Sequence, residues 1–148
     1  MNKMIKIGCI SQHVNSKAYD EVWWIVRSPE KEPERENERH VPELSPSLEL
    51  FREYRRVFHA GMFNEEYFQT VYVQRYLQEL SENEQAIYML HMLYEMSQQK
   101  NIMLSCYCEN ELLCHRSIVA GILLGMGAAI EADVEYLKYY NIFKSYRR

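Results

Sequence analysis

The amino-acid sequence predicts a single α/β domain over residues 1–148, with a mainly parallel sheet flanked by helices in Rossmann-like layers. Three observations carry that expectation. Short β-branched or aromatic runs stand at 4–10, 21–27 and 101–108. Amphipathic helical periodicity fills the interval between the second and third of them. An almost wholly apolar stretch, 115–126, follows the third run directly and has the composition of a helix packed on a sheet. Strand–helix–strand order with apolar helices is the pattern of parallel α/β sheets.

The first two runs, MIKIGCI (4–10) and EVWWIVR (21–27), read as buried strands. Residues 28–46 (SPEKEPERENERHVPELSP) are dense in charge and proline and lack an apolar period, so they read as a solvated loop. A loop of this length inside a small domain suggests a lid over a ligand. Ser45-Pro46-Ser47 opens a helix, a hydroxyl cap with proline in the first turn. Its apolar stripe is Leu48, Phe51, Tyr54, Val57 and Phe58, and Gly61 ends it. Asn64 caps a second helix through Leu80, with Tyr67, Val71 and Leu77 facing inward. A third begins at Ser81 or Asn83 and places Ile87, Leu90, His91 and Tyr94 at helical spacing before Lys100-Asn101 stops it. NIMLSCYC (101–108) is the third strand, and HRSIVAGILLGM (115–126) a helix ended by Gly125 and Gly127. AAIEADVEYL (128–137) is a candidate last strand despite its alanines and glutamates, and 138–148 form a C-terminal tail.

Composition excludes some functions. A chain of 148 residues hides roughly 68–70% of the surface its unfolded form exposes, enough for a core without disulfides. A net charge of −4 supplies no general attraction to a polyanion, so non-specific nucleic-acid binding is not expected. A small anion in a local basic pocket remains compatible with that charge. No apolar run approaches the roughly 18–20 residues of a membrane span, and the N-terminus has no secretory h-region. The cytoplasm is therefore the expected location, where thiols stay reduced. Three of the four cysteines (Cys106, Cys108, Cys114) fall within nine residues. In a reducing compartment such a cluster points to a ligand site, a metal or reactivity before a disulfide.

The cluster lies where a strand ends and a helix begins, the usual ligand position of parallel sheets. Unpaired amides and the helix dipole favour an anion there. Cys114 stands at the predicted helix start beside His115 and Arg116, a setting that lowers a thiol's pKa. Arg116 offers a planar fork of donors to a phosphate or carboxylate, His115 a group that titrates near neutrality. Glu109 is placed to orient Arg116 or serve as a base. Plainer readings stand beside these: Cys106 and Cys108 as small core hydrophobes, or an Arg–Glu pair that ties the loop down. Zinc is a third competitor, since Cys106, Cys108, Cys114 and His115 are the right ligand types. No metal is expected, because Cys-x-Cys on a straight strand spaces thiolates less well than a Cys-x-x-Cys turn. A cysteine-phosphatase loop fails on spacing: six positions before Arg116 stands Asn110, and Cys108 is two residues too early.

These residues resemble the domain of unknown function 488 family in its longer form. The family's mark is a hydrophobic strand ending in cysteine and glutamate, a short loop, then Cys-His-Arg opening an apolar helix. Here the corresponding stretches are Met103 to Glu109 and Cys114-His115-Arg116 to Ala120. Tyr19 to Pro29 is similar to the family's second strand, and Leu44-Ser45-Pro46-Ser47 with Tyr54, Gly61, Tyr67 and Tyr72 to its helical region. The chain departs from the family in having Cys-Tyr-Cys-Glu where Cys-x-Glu is usual, so Cys106 and Cys108 compete for one position. The resemblance implies a fold and a polar pocket suited to a nucleotide, a base or another anion, without an activity or a cofactor. The expected function is binding or sequestration of an anionic, nucleotide-like ligand. Arg116, Arg27, Cys106, Cys108, Ser117 and Tyr72 would bind it. The alternatives are an enzyme acting on a nucleotide or base, with Cys114 as nucleophile, His115 as acid/base and Glu109 assisting, and a zinc-stabilised interaction module.

Overall fold

Residues 3–10, 16–29, 33, 35–108 and 110–147 are described by a computed structural model. Strands β1 (Ile5–Cys9), β2 (Glu21–Trp24), β3 (Glu38–His40) and β4 (Ile102–Cys106) form one sheet in the order β1-β4-β2-β3. Every pairing is parallel, with Cys9 opposite Cys106 and Trp24 opposite both Ser105 and His40. All carboxyl ends therefore lie along one edge of the sheet. β4, late in sequence, is central and buried along its whole length. Its residues, IMLSC, include no acidic or basic type, as expected of a strand covered on both faces.

The segment 28–46 is not one uninterrupted loop. It contains β3 and a short 3₁₀ turn, Pro42–Leu44, while Glu30, Lys31, Glu32 and Glu34 lie outside the described residues. The β3 residues Glu38-Arg39-His40 are polar because the strand is the sheet edge and its side chains bind polar partners. The Arg39 guanidinium stands 5.1 Å from the Trp23 ring centre and 3.2 Å from Glu21. His40 Nε2 donates to the Val26 carbonyl at 2.7 Å.

α1 (Leu48–His59) begins at Ser47, whose hydroxyl accepts from the Leu50 amide at 3.1 Å. Asn64 caps α2 (Glu65–Tyr67), which runs through a π turn (Phe68–Tyr72) into α3 (Val73–Glu82). The wider turn shifts the helix phase. Phe68, Tyr72, Val73, Tyr76, Leu77 and Leu80 are buried, whereas the expected Tyr67 and Val71 are only half-buried. Asn83 caps α4 (Glu84–Met96), which buries Ala86, Leu90 and Leu93 and leaves His91 and Tyr94 exposed. The expected α4 stripe was out of phase because this helix is apolar over much of its circumference.

α5 (His115–Met126) packs on β1 and β4 and stops at Gly127, whose φ of 87° suits glycine. The candidate last strand does not form. Ile130 makes one bridge to Ile5, Val134–Tyr136 is a 3₁₀ turn, and the supposed tail is α6 (Leu137–Tyr146), packed on α5 and α3. Alanine and glutamate lack the side chains that stabilise a pleated surface, while Tyr136, Tyr139 and Phe143 anchor a helix instead. No described helix is long and apolar enough to cross a membrane.

The close approach of α6 requires Gly121. A Cβ there would stand 2.0 Å from the Tyr136 carbonyl oxygen, a backbone atom that no rotamer change can move. Gly121→Ala is therefore expected to cost about 1–3 kcal/mol despite alanine's better helix propensity. Denaturant unfolding of variant and wild type measures it.

Candidate functional site

β4 ends at Cys106, and the chain bends at Tyr107. The expected straight Cys-x-Cys strand therefore does not exist. Cys108 lies beyond the bend, and its thiol returns towards Cys106. A 3₁₀ turn, Glu111–Leu113, then delivers Cys114 as the residue preceding α5. One donor atom each from Cys106, Cys108, Cys114 and His115 lie within 4.8 Å of one another. The Cys106 and Cys114 sulfurs are 2.7 Å apart as free thiols.

Two side chains hold this cluster. Arg116 Nη1 donates to Cys106 Sγ at 3.1 Å and to the Cys108 carbonyl at 2.5 Å, and lies 3.9 Å from Cys114 Sγ. His115 Nε2 donates to the Ile25 carbonyl at 2.6 Å, since a carbonyl can only accept. That bond leaves Nδ1 facing Cys114 Sγ at 3.8 Å. The ring also stands edge-on to Tyr76, with centres 5.7 Å apart.

The sulfurs divide the charge unequally. Hydrogen bonds from the Cys108 and Cys114 thiols push the Cys106 pKa down, with His115 and Arg116 adding to the effect against the opposition of burial. Donating to Cys106 pushes Cys108 up, and burial pushes Cys114 up. The negative charge thus belongs on Cys106. This runs against the expected Cys114 thiolate: Cys114 does stand at the helix start, but its sulfur makes no cap hydrogen bond and burial pushes its thiol up.

A cavity of about 180 Å³ opens on the cluster. Cys106, Cys108 and His115 form its floor, Phe51, Tyr54, Tyr72 and Tyr107 its aromatic walls, and Arg27, Ser28, Pro46 and Leu48 its rim, completed by Val26 and Leu113. Burial, followed by the nearby Cys108, pushes the Tyr54 hydroxyl up to about 12, and burial holds Tyr72 well above the usual range. Both are neutral hydroxyls near neutral pH. Past Arg27 a second cavity is walled by Glu43, Glu79, Glu82 and Glu84.

Of the residues the sequence proposed, Cys106, Cys108, His115, Arg27 and Tyr72 line the cavity. Cys114, Arg116 and Ser117 do not. Arg116 is turned towards the sulfurs, and Ser117 Oγ donates to the Cys114 carbonyl at 2.8 Å. Glu109 lies outside the described residues. Phe51, Tyr54 and Tyr107 were missed as cavity walls. Phe51 and Tyr54 carry the same helical period a core stripe carries. The separating signal was their basic neighbours, for Arg52, Arg55 and Arg56 are exposed on the same helix.

Against known proteins, a family model described as DUF488-N3a, active DUF488-N3 subclade, matches residues 7–127. Neither a curated protein nor a solved structure matches this chain.

In the reduced, chelator-treated chain one thiolate should persist to acidic pH, visible in the ultraviolet thiolate absorbance. Arg116→Ala should shift its titration upward and Cys106→Ser should remove it. Persistence in Cys106→Ser would move the charge to another cysteine.

Proposed function

The chain belongs to the DUF488 family, and from that premise we propose that it holds a small, flat, anionic ligand of the nucleotide type, with the ring in the cavity and the charged end outside. The observation that carries this reading is the aromatic enclosure by Phe51, Tyr54, Tyr72 and Tyr107 above a polar floor. At about 180 Å³ the space is below the roughly 300–1,000 Å³ of pockets that engulf a whole drug-sized ligand. A ring fits such a space better than an entire nucleotide. Flat rings gain about 1–3 kcal/mol from stacking on an aromatic side chain. The walls also supply hydrogen-bonding groups for ring edges, namely the neutral Tyr54 and Tyr72 hydroxyls.

The charged end has two directions open to it, and electrostatics separates them. The second cavity, with its four glutamates, repels a phosphate. The α1 side attracts one, since the Arg55 guanidinium stands 5.9 Å from the ring centre of Phe51, itself a cavity wall. Arg27 is the cation at the rim. Ser28 and Pro46, the first and last residues of the 28–46 segment, both border the cavity.

Cys106 favours a second reading on the same ligand. It has both access to the cavity and the lowered pKa, so an enzyme here would use Cys106, rather than Cys114, as nucleophile. The subclade's description as active agrees with that reading.

Calorimetry against free bases, nucleosides and nucleoside monophosphates tests the proposal. Tyr54→Ala should weaken all three classes by about five- to a hundredfold. Arg27→Ala should weaken only the phosphate-bearing class, by about tenfold or more. Failure of every class to bind, or equal losses in both variants, would remove the reading. Where product forms, Cys106→Ser should keep affinity and lose turnover, and Cys114→Ser should retain turnover.

A further inference from the structure

We infer that Cys106, Cys108, Cys114 and His115 form a closed, tetrahedral site for a soft divalent cation of the zinc type. The geometry matches on four independent counts. Their donor atoms lie within 4.8 Å of one another, and three thiols with one imidazole make a recognised structural zinc set. The straight-strand objection does not apply, because β4 ends at Cys106 and the bend at Tyr107 folds Cys108 back.

The histidine is already prepared. A metal-bound imidazole characteristically gives its other ring N–H to a carbonyl or carboxylate, which fixes tautomer and orientation. His115 Nε2 does this with the Ile25 carbonyl at 2.6 Å, and Nδ1, the nitrogen left with a lone pair, is the one that faces the sulfurs.

Charge also closes. A dication with three thiolates and a neutral imidazole carries one net negative charge, and the buried guanidinium of Arg116 carries one positive charge at 3.1 Å from Cys106 Sγ. A buried cation demands a partner of this kind. On binding, each coordinating thiol releases its proton to solvent and its sulfur lone pair forms the bond to the metal. At Zn–S distances of about 2.3 Å, tetrahedral sulfurs stand about 3.7 Å apart. Cys106 and Cys114, now at 2.7 Å, must part by about 1 Å, which side-chain rotation can supply.

With four protein donors the site has no open position, so its role is to lock the end of β4 onto the start of α5 beneath the cavity. In the loaded chain Cys106 is a ligand and not a free nucleophile. The ring-binding reading does not depend on the metal, and the two are tested with different probes.

The experiment is anaerobic purification without chelator, elemental analysis, then removal of metal and titration with cobalt(II) alone. The expected result is one zinc per chain, and a cobalt complex with tetrahedral d–d bands and thiolate-to-metal charge transfer. Cys106→Ser and Cys114→Ser should lose the charge-transfer bands in part or whole, Cys9→Ser should keep them, and circular dichroism should confirm that each variant is folded. Arg116→Gln, which removes the neutralising charge but no donor atom, should weaken cobalt binding by about 10–100-fold. Since this variant retains every ligand, it keeps the test open if a cysteine variant fails to fold. Octahedral cobalt spectra, metal binding unaffected in Cys106→Ser, or a Cys106–Cys114 disulfide in the anaerobically isolated chain would each overturn the inference.

Discussion

A cation buried away from water organises the candidate site of this molecule. Arg116 is 3% exposed, and stripping a guanidinium of water costs several kcal/mol unless counter-charge and acceptors replace it. The replacements are the Cys106 sulfur and the Cys108 carbonyl, one at the last position of β4 and one past the bend. Its Nε finds no partner among the described residues, which makes those two contacts the more necessary. These contacts tie the end of β4 to the chain past the bend at Tyr107 and hold Cys106 and Cys108 together on the floor of the cavity.

The walls depend on a second polar fixture. The Ser47 amide donates to Glu79 at 3.0 Å, and the Ser47 hydroxyl also meets that carboxylate, so the start of α1 is tied to α3. Tyr76, one turn earlier on α3, donates to the Leu44 carbonyl at 2.5 Å. These bonds place the Phe51 and Tyr54 face over the cysteines, although Leu48 and Phe58 of the same stripe are exposed. Side chains fixed on helices in this way make a more precise site than side chains on loops. Two of the four aromatic walls, Phe51 and Tyr54, thus stand on a helix whose start is tied down.

Much of this was legible beforehand. Three of the four strands, the Asn64 cap, a helix start at Ser81 or Asn83 and the helix from His115 were visible, because local composition and capping chemistry dictate them, whereas the first helix is capped by Ser47 and not by a hydroxyl ahead of Pro46. β3 was hidden because its side chains serve an edge, where charge replaces the apolar alternation that betrays a strand. α6 was hidden because its tyrosines follow a segment with neither strand nor helix character, and only the surface of α5, opened by Gly121 and Gly125, gives them somewhere to pack.

Residue order alone brought a cysteine triad, a histidine and an arginine to one strand-to-helix junction. Residue type and spacing suffice for that, since both the helix start and the strand end are local events. The tertiary structure decided what each of them does. Whether Cys106 or Cys114 holds the charge, whether Arg116 faces a ligand or the sulfurs, and whether an aromatic stripe is core or cavity wall depend on burial and on partners as distant in the chain as Ile25. Those distances are set by packing, and a helical period is the same whichever way its stripe turns.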